Sequence, residues 1–181
     1  MNCWKSININ KEFGLNRLYL LSFLIGLAVF IFLYMPISII HGTVEIYDYG
    51  IIPLLIALFL LPTIHSFMHV LPLIMMNKRA KLVFKRKNKL FPIINYYTKK
   101  HLTKKASIVV AIAPTMFLTI PGLMGSFLFV HYHVYFLIFT AFHIGITLTD
   151  FLYVFNIVKA PKHSYIESTD DEISILVKAY E

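Results

Sequence analysis

The sequence predicts an all-α polytopic membrane protein, with four transmembrane helices and a basic cytoplasmic loop, able to form a short β-hairpin, between the second and third. Three observations predict it. The chain of 181 residues is 58% hydrophobic and only 14% charged, with a mean hydropathy of +0.71, whereas an average soluble domain is nearer half apolar and a quarter charged. Its apolar residues gather in long runs almost without charge, and most of its basic residues gather between two of those runs. Disorder, collagen and a disulfide-stapled miniprotein are excluded by 15% aromatic residues, 7 glycines and a single cysteine, Cys3.

The first run, Leu18 to Ile40, has 23 residues and no charge. At about 1.5 Å per residue it crosses a hydrocarbon core of roughly 30 Å. It is too long for the apolar part of a signal peptide and is read as a retained span. The second run, Tyr49 to Asn77, has 29 uncharged residues and contains His65 and His69. From Ala106 to Val158, 53 residues carry one formal charge, Asp150, which is too much apolar chain for one span and enough for two. The break falls at His131-Tyr132-His133. The expected spans are therefore 18–40, 50–76, 106–130 and 134–158. Pro114 and Pro121-Gly122 should kink the third and free backbone carbonyls for neighbouring protein to satisfy.

Charge orients the bundle. Residues 77–105 hold eleven of the 17 basic residues and no acid, which places that loop in the cytoplasm. Residues 1–17 and the tail 159–181 then lie on the same side. Within the loop, Leu82-Val83-Phe84 and Leu90-Phe91 flank a basic stretch, a pattern for a short hairpin whose second arm Pro92 weakens. The loop is expected to meet anionic lipid headgroups; nothing resembles a nucleic-acid-binding module. In the tail, Thr169 and Glu172 have capping-box spacing ahead of Ile173, Leu176 and Val177, which predicts a short helix.

Ionisable groups inside a bilayer cost a few kcal/mol each and call for a partner or a task. Three qualify. His65 and His69 have the i,i+4 spacing that stacks two imidazoles on one helix face, as when one helix offers two nitrogens to one metal ion. Asp150 is the single acid of the last two spans, and the orientation above puts it at the depth of the two histidines. Two histidines and one carboxylate make a zinc ligand set with one position open. His143, two turns before Asp150, is a candidate fourth ligand, a supporting hydrogen-bond partner or a substrate contact. His41, His131 and His133 fall at span ends and read as interfacial.

The order His65-x-x-x-His69 in a membrane helix, a basic and partly strand-like loop, a Pro-broken helix around Ala113-Pro114, then Thr149-Asp150 in the final span, resembles the DUF3267 family of zincin-type peptidases. More distantly it is similar to site-2-type intramembrane metalloproteases, which take a third ligand from a late Asp. The likeness covers roughly Leu54 to Pro161 and implies zinc on His65, His69 and Asp150, with a peptide or membrane-protein segment as substrate. One position departs from it. Zincins use H-E-x-x-H, with the Glu as general base, and this chain has Ser66 in that place. Loss of general-base help removes a factor of about 10² to 10⁴ in rate.

Two readings follow: a membrane-embedded zinc metallopeptidase, or a non-catalytic metal-binding accessory protein on the same fold. A haem protein with axial histidines from spans two and four, and a small transporter, are further alternatives.

Overall fold

Where water is absent, only a helix lets one segment satisfy its own backbone, and the apolar runs fold accordingly. The computed structural model describes residues 1–77, 80–85, 93–98, 101–168 and 172–177. A long helix α2 (Leu15–His41) carries the first run, preceded by strand β1 (Asn2–Ile7) and a short helix α1 (Ile9–Phe13) that Asn8 caps through Lys11 N, 3.0 Å away. Helix α3 (Ile51–Met75), entered through a 3-10 turn at Asp48–Gly50, carries the second. The last run makes two paths. One is α4 (Lys104–Pro114), a π-helical turn (Thr115–Thr119) and α5 (Ile120–Leu128); the other is α6 (His133–Ile146) and α7 (Leu148–Lys159). Three helical paths, Leu15–His41, Asp48–Met75 and Lys104–Leu128, are long and apolar enough to cross a membrane, and α6 with α7 makes a fourth if the bent pair is one span.

That bend corrects the expected continuous helix over 134–158. The chain turns by 47° between α6 and α7. The cause is local: Thr147 is fully buried and its hydroxyl donates to the Ile144 carbonyl at 2.9 Å, a bond to the preceding turn that competes with the helix ladder. Just before it, Gly145 is where α6 lies against α2. A Cβ there would come within 2.7 Å of the Ser22 carbonyl oxygen, and one at Gly26 within 3.2 Å of the Ala141 oxygen. The two backbones touch through small residues, the usual device where water gives helices no hydrophobic reason to associate.

The described residues are mostly helical, as expected, with a small antiparallel sheet added. Strands β4 (Leu102–Thr103), β5 (Tyr165–Ser168) and β6 (Ile173–Val177) join β1 in a four-stranded sheet of order β1-β6-β5-β4. The chain's two ends thus pair with each other, Asn2 with Val177 through Ile7 with Ile173. Residues 173–177 were expected as helix and form a central strand instead. Two β-branched isoleucines and a valine at alternate positions suit a pleated surface, and pairing on both sides outweighs a helix-capping signal; Thr169 lies outside the described residues. Ile7, Ile9, Leu18, Ile157, Ala160, Ile166 and Ile175 bury together and seat this sheet against the start of α2 and the end of α7. Lys104 Nζ donates to the carbonyls of Val158 (2.7 Å) and Ala160 (2.5 Å) and so closes the C-terminal end of α7.

In the basic loop, β2 (Ala80–Lys85) and β3 (Ile93–Thr98) form the antiparallel hairpin, Ala80 opposite Thr98 and Lys85 opposite Ile93. The first arm contains Leu82-Val83-Phe84 as expected. The second begins after Pro92, with Ile93, Ile94, Tyr96 and Tyr97 supplying the β-branched and aromatic residues that strands favour. Leu90, Phe91 and Pro92 lie outside the described residues.

Candidate metal centre

One helical turn separates His65 from His69, so both rings leave the same face of α3. Their centroids are 5.0 Å apart with the planes at 88°, and both residues are buried, 8% and 6% exposed. Asp150, in the first turn of α7, meets them from the other side. Its Oδ2 lies 3.2 Å from His65 Nε2 and 3.6 Å from His69 Nε2, and one ligand atom from each of the three residues lies within 4.8 Å of the others. The bend at Thr147, three residues earlier, sets the direction in which α7 carries Asp150.

The far nitrogen of each ring is also held. His69 Nδ1 lies 2.8 Å from the Val110 carbonyl oxygen in α4. That carbonyl is available because Pro114, four residues later, has no N–H to give it, which is the freed backbone group expected in the third span. His65 Nδ1 lies 3.2 Å from His143 Nε2 in α6, and His143 Nδ1 lies 2.8 Å from Thr119 Oγ1. His143 is fully buried. It therefore abuts His65 on the side away from Asp150. A haem between His65 and His143 has no room, since the two rings touch directly.

A carbonyl oxygen can only accept, so His69 Nδ1 is the donor to Val110 and Nε2 is the nitrogen that faces Asp150. Asp150 Oδ2 is buried and meets the Nε2 atoms of His65 and His69 at 3.2 and 3.6 Å. A buried carboxylate oxygen between two imidazoles needs a positive charge among them, either a proton on a ring nitrogen or a bound cation. The residues present fit a metal ion: two imidazoles whose outer N–H groups are bonded to protein, and one carboxylate.

Ser66 occupies the position of the zincin Glu, but its hydroxyl donates back to the Pro62 carbonyl at 2.9 Å within α3. It adds neither a base nor a ligand to the cluster.

The remaining histidines of the bundle serve packing. His41 Nε2 donates to the Ser126 carbonyl at 2.9 Å, and His133 Nδ1 to that of Val130 at 2.6 Å. His131 Nδ1 donates to the Glu45 carbonyl at 2.9 Å, and its ring stacks on Tyr47 with centroids 4.4 Å apart. His133, expected to face water, is buried at 4% exposure. Sequence reasoning missed two contributors to the centre. The Val110 carbonyl was findable from the proline four residues after it; Thr119 carried no signal of its own.

Two buried imidazoles from one helical turn and a half-buried carboxylate from a distant helix form a group that could hold a metal ion. The family model of DUF3267, described as "Putative zincin peptidase", matches residues 58–165, a stretch that contains His65, His69, His143 and Asp150. This is more than half of the chain, and the protein belongs to that family. No curated protein and no solved structure matches it.

Proposed function

We propose that this protein is an integral membrane protein that holds zinc on His65, His69 and Asp150 and works on a peptide or a membrane segment of another protein. The single observation that carries the reading is the convergence of the two Nε2 atoms of α3 on the buried Asp150 Oδ2. Membership of a zincin-type family supports zinc as the metal. A bilayer setting is supported by the surface of α2 and α3, where Phe23, Phe32, Ile39, Ile52 and Phe59 stay largely exposed; in water such a surface would aggregate. The positive-inside argument then puts the two chain ends, the sheet that joins them and the basic loop on the cytoplasmic face, with anionic headgroups as the partner of the loop.

The chemistry zinc supplies in such a set is polarisation of a carbonyl oxygen and a lowered pKa for bound water. The chain's own contributions are distinct from that. Val110 holds His69 Nδ1 so that Nε2 faces the site, Asp150 meets both imidazoles from α7, and the surrounding helices bury the group.

A second reading, a non-catalytic metal-binding accessory protein, is favoured by Ser66, whose hydroxyl is committed to Pro62 and cannot serve as a base. One experiment separates the two. Purified protein is analysed for metal beside His69→Ala, and wild type, Ser66→Ala and Ser66→Glu are incubated with a casein or membrane-peptide mixture. Zinc near one equivalent, lost in His69→Ala, supports the metal centre; wild type without metal after zinc-replete expression overturns it. Turnover by wild type favours the peptidase. Turnover only in Ser66→Glu, by about 10² to 10⁴ over wild type, favours the accessory reading.

A further inference from the structure

The helical path Lys104–Leu128 meets the histidine cluster twice, at the Val110 carbonyl and at the Thr119 hydroxyl. A regular α-helix cannot do this from one face. Nine residues at about 100° each place two positions about 180° apart, on opposite sides of the helix. Between them lies the π-helical turn Thr115–Thr119, closed by the Ile120 N–H on the Thr115 carbonyl five residues back. A π turn takes in one residue more than an α turn. That extra residue brings the separation of the two positions down to about 80°, and both then reach the cluster. The turn is bounded by two prolines, Pro114 and Pro121, neither of which can supply an α-helical N–H.

We propose that the π turn exists to aim Thr119 at His143, and that Thr119 and His143 are positioning residues for His65. This rests on the reading of His65 as a ligand through Nε2. If Nε2 presents its lone pair, the proton of the neutral ring is on Nδ1 and His143 Nε2 accepts it at 3.2 Å. His143 then carries its own proton on Nδ1 and donates it to Thr119 Oγ1 at 2.8 Å. Thr119 thus fixes the orientation of the His143 ring, and His143 that of the His65 ring. The arrangement matches what Val110 does for His69 in one step. His69 is tied to this helical path directly, at Val110 before the π turn, and His65 through His143, at Thr119 at the end of the turn. Supporting partners of this kind set ring orientation and metal affinity without touching the metal.

The test uses the full-length protein in detergent, with Thr119→Val, which keeps the shape and removes the hydroxyl, and Thr119→Ser, which restores it. Cobalt(II) affinity is measured by competition with a chelator, and the ring nitrogens of His65 and His143 are followed by ¹⁵N NMR in the metal-free protein. The expected result is affinity about 10-fold weaker in Thr119→Val, with the His65 ring signals displaced, and both properties restored in Thr119→Ser. Wild-type affinity and unmoved His65 signals in Thr119→Val would overturn the proposal. Should wild type bind no cobalt at all, the metal reading falls, and the ring signals alone decide the positioning role: displaced in the valine variant and restored in serine they support it, unmoved they overturn it.

Discussion

His65, His69 and His143 form a buried cluster in which the first two face Asp150, while His41, His131 and His133 sit where helices begin and end, and the two groups use their nitrogens differently. In the second group a ring nitrogen of each donates to a backbone carbonyl, and the rings pack on aromatic neighbours: Tyr47 on His131, and His41 on His133 at 5.1 Å between centroids. Such histidines are packing residues with a polar edge. In the first group His65 and His69 have their outer nitrogens tied to protein and their inner ones converging on Asp150, while His143 is tied to His65 and Thr119. Burial does not distinguish the groups, since His133 is as buried as His69. The direction of the second nitrogen does: in His65 and His69 it faces a carboxylate.

The comparison breaks most easily by removing a side chain from each group. Asp150→Ala or His69→Ala is expected to lower zinc affinity by more than about 100-fold, beyond the range for supporting partners, whereas His41→Ala and His131→Ala should keep wild-type zinc content in metal analysis of purified protein. Equal losses in both groups would erase the distinction drawn here.

Next in size is the packing that holds the groups in place. Gly145→Val sets a branched side chain against the Ser22 carbonyl and is expected to cost about 1–3 kcal/mol, read as earlier thermal unfolding in detergent. A smaller effect belongs to the packing histidines themselves. His41→Ala removes one hydrogen bond to Ser126, worth about 1 kcal/mol, with zinc binding unchanged. The smallest is expected at the far end of α7. Lys104→Met leaves the carbonyls of Val158 and Ala160 without their donor and should lower stability by about 0.5–1 kcal/mol, while Asp150, in the first turn of the helix, retains its place and zinc its affinity.

Much of this was legible in the chain. Runs without charge gave the positions of α2 and α3 closely, because the bilayer-length rule is one-dimensional. The i,i+4 spacing of His65 and His69 gave their shared face, because helix periodicity is local. Pro114 announced a freed carbonyl. The less legible parts depend on contacts between distant segments. The strand at 173–177 needs β1 and β5 beside it before pairing can beat the capping signal of Thr169 and Glu172. The bend after Ile146 depends on one hydroxyl choosing a carbonyl, a competition that composition does not record.

The sequence by itself determined that the long apolar runs are helical, which face of α3 carries two imidazoles and that a single acid shares the last apolar stretch; these follow from periodicity and from the cost of charge in an apolar medium. Only the tertiary structure decided that Asp150 meets both Nε2 atoms, that His143 stands behind His65 rather than beside Asp150, and that a π turn brings Thr119 round to hold it. Those outcomes rest on a 47° bend and one extra residue in a turn, small backbone adjustments that rotate whole side chains between faces and that packing selects.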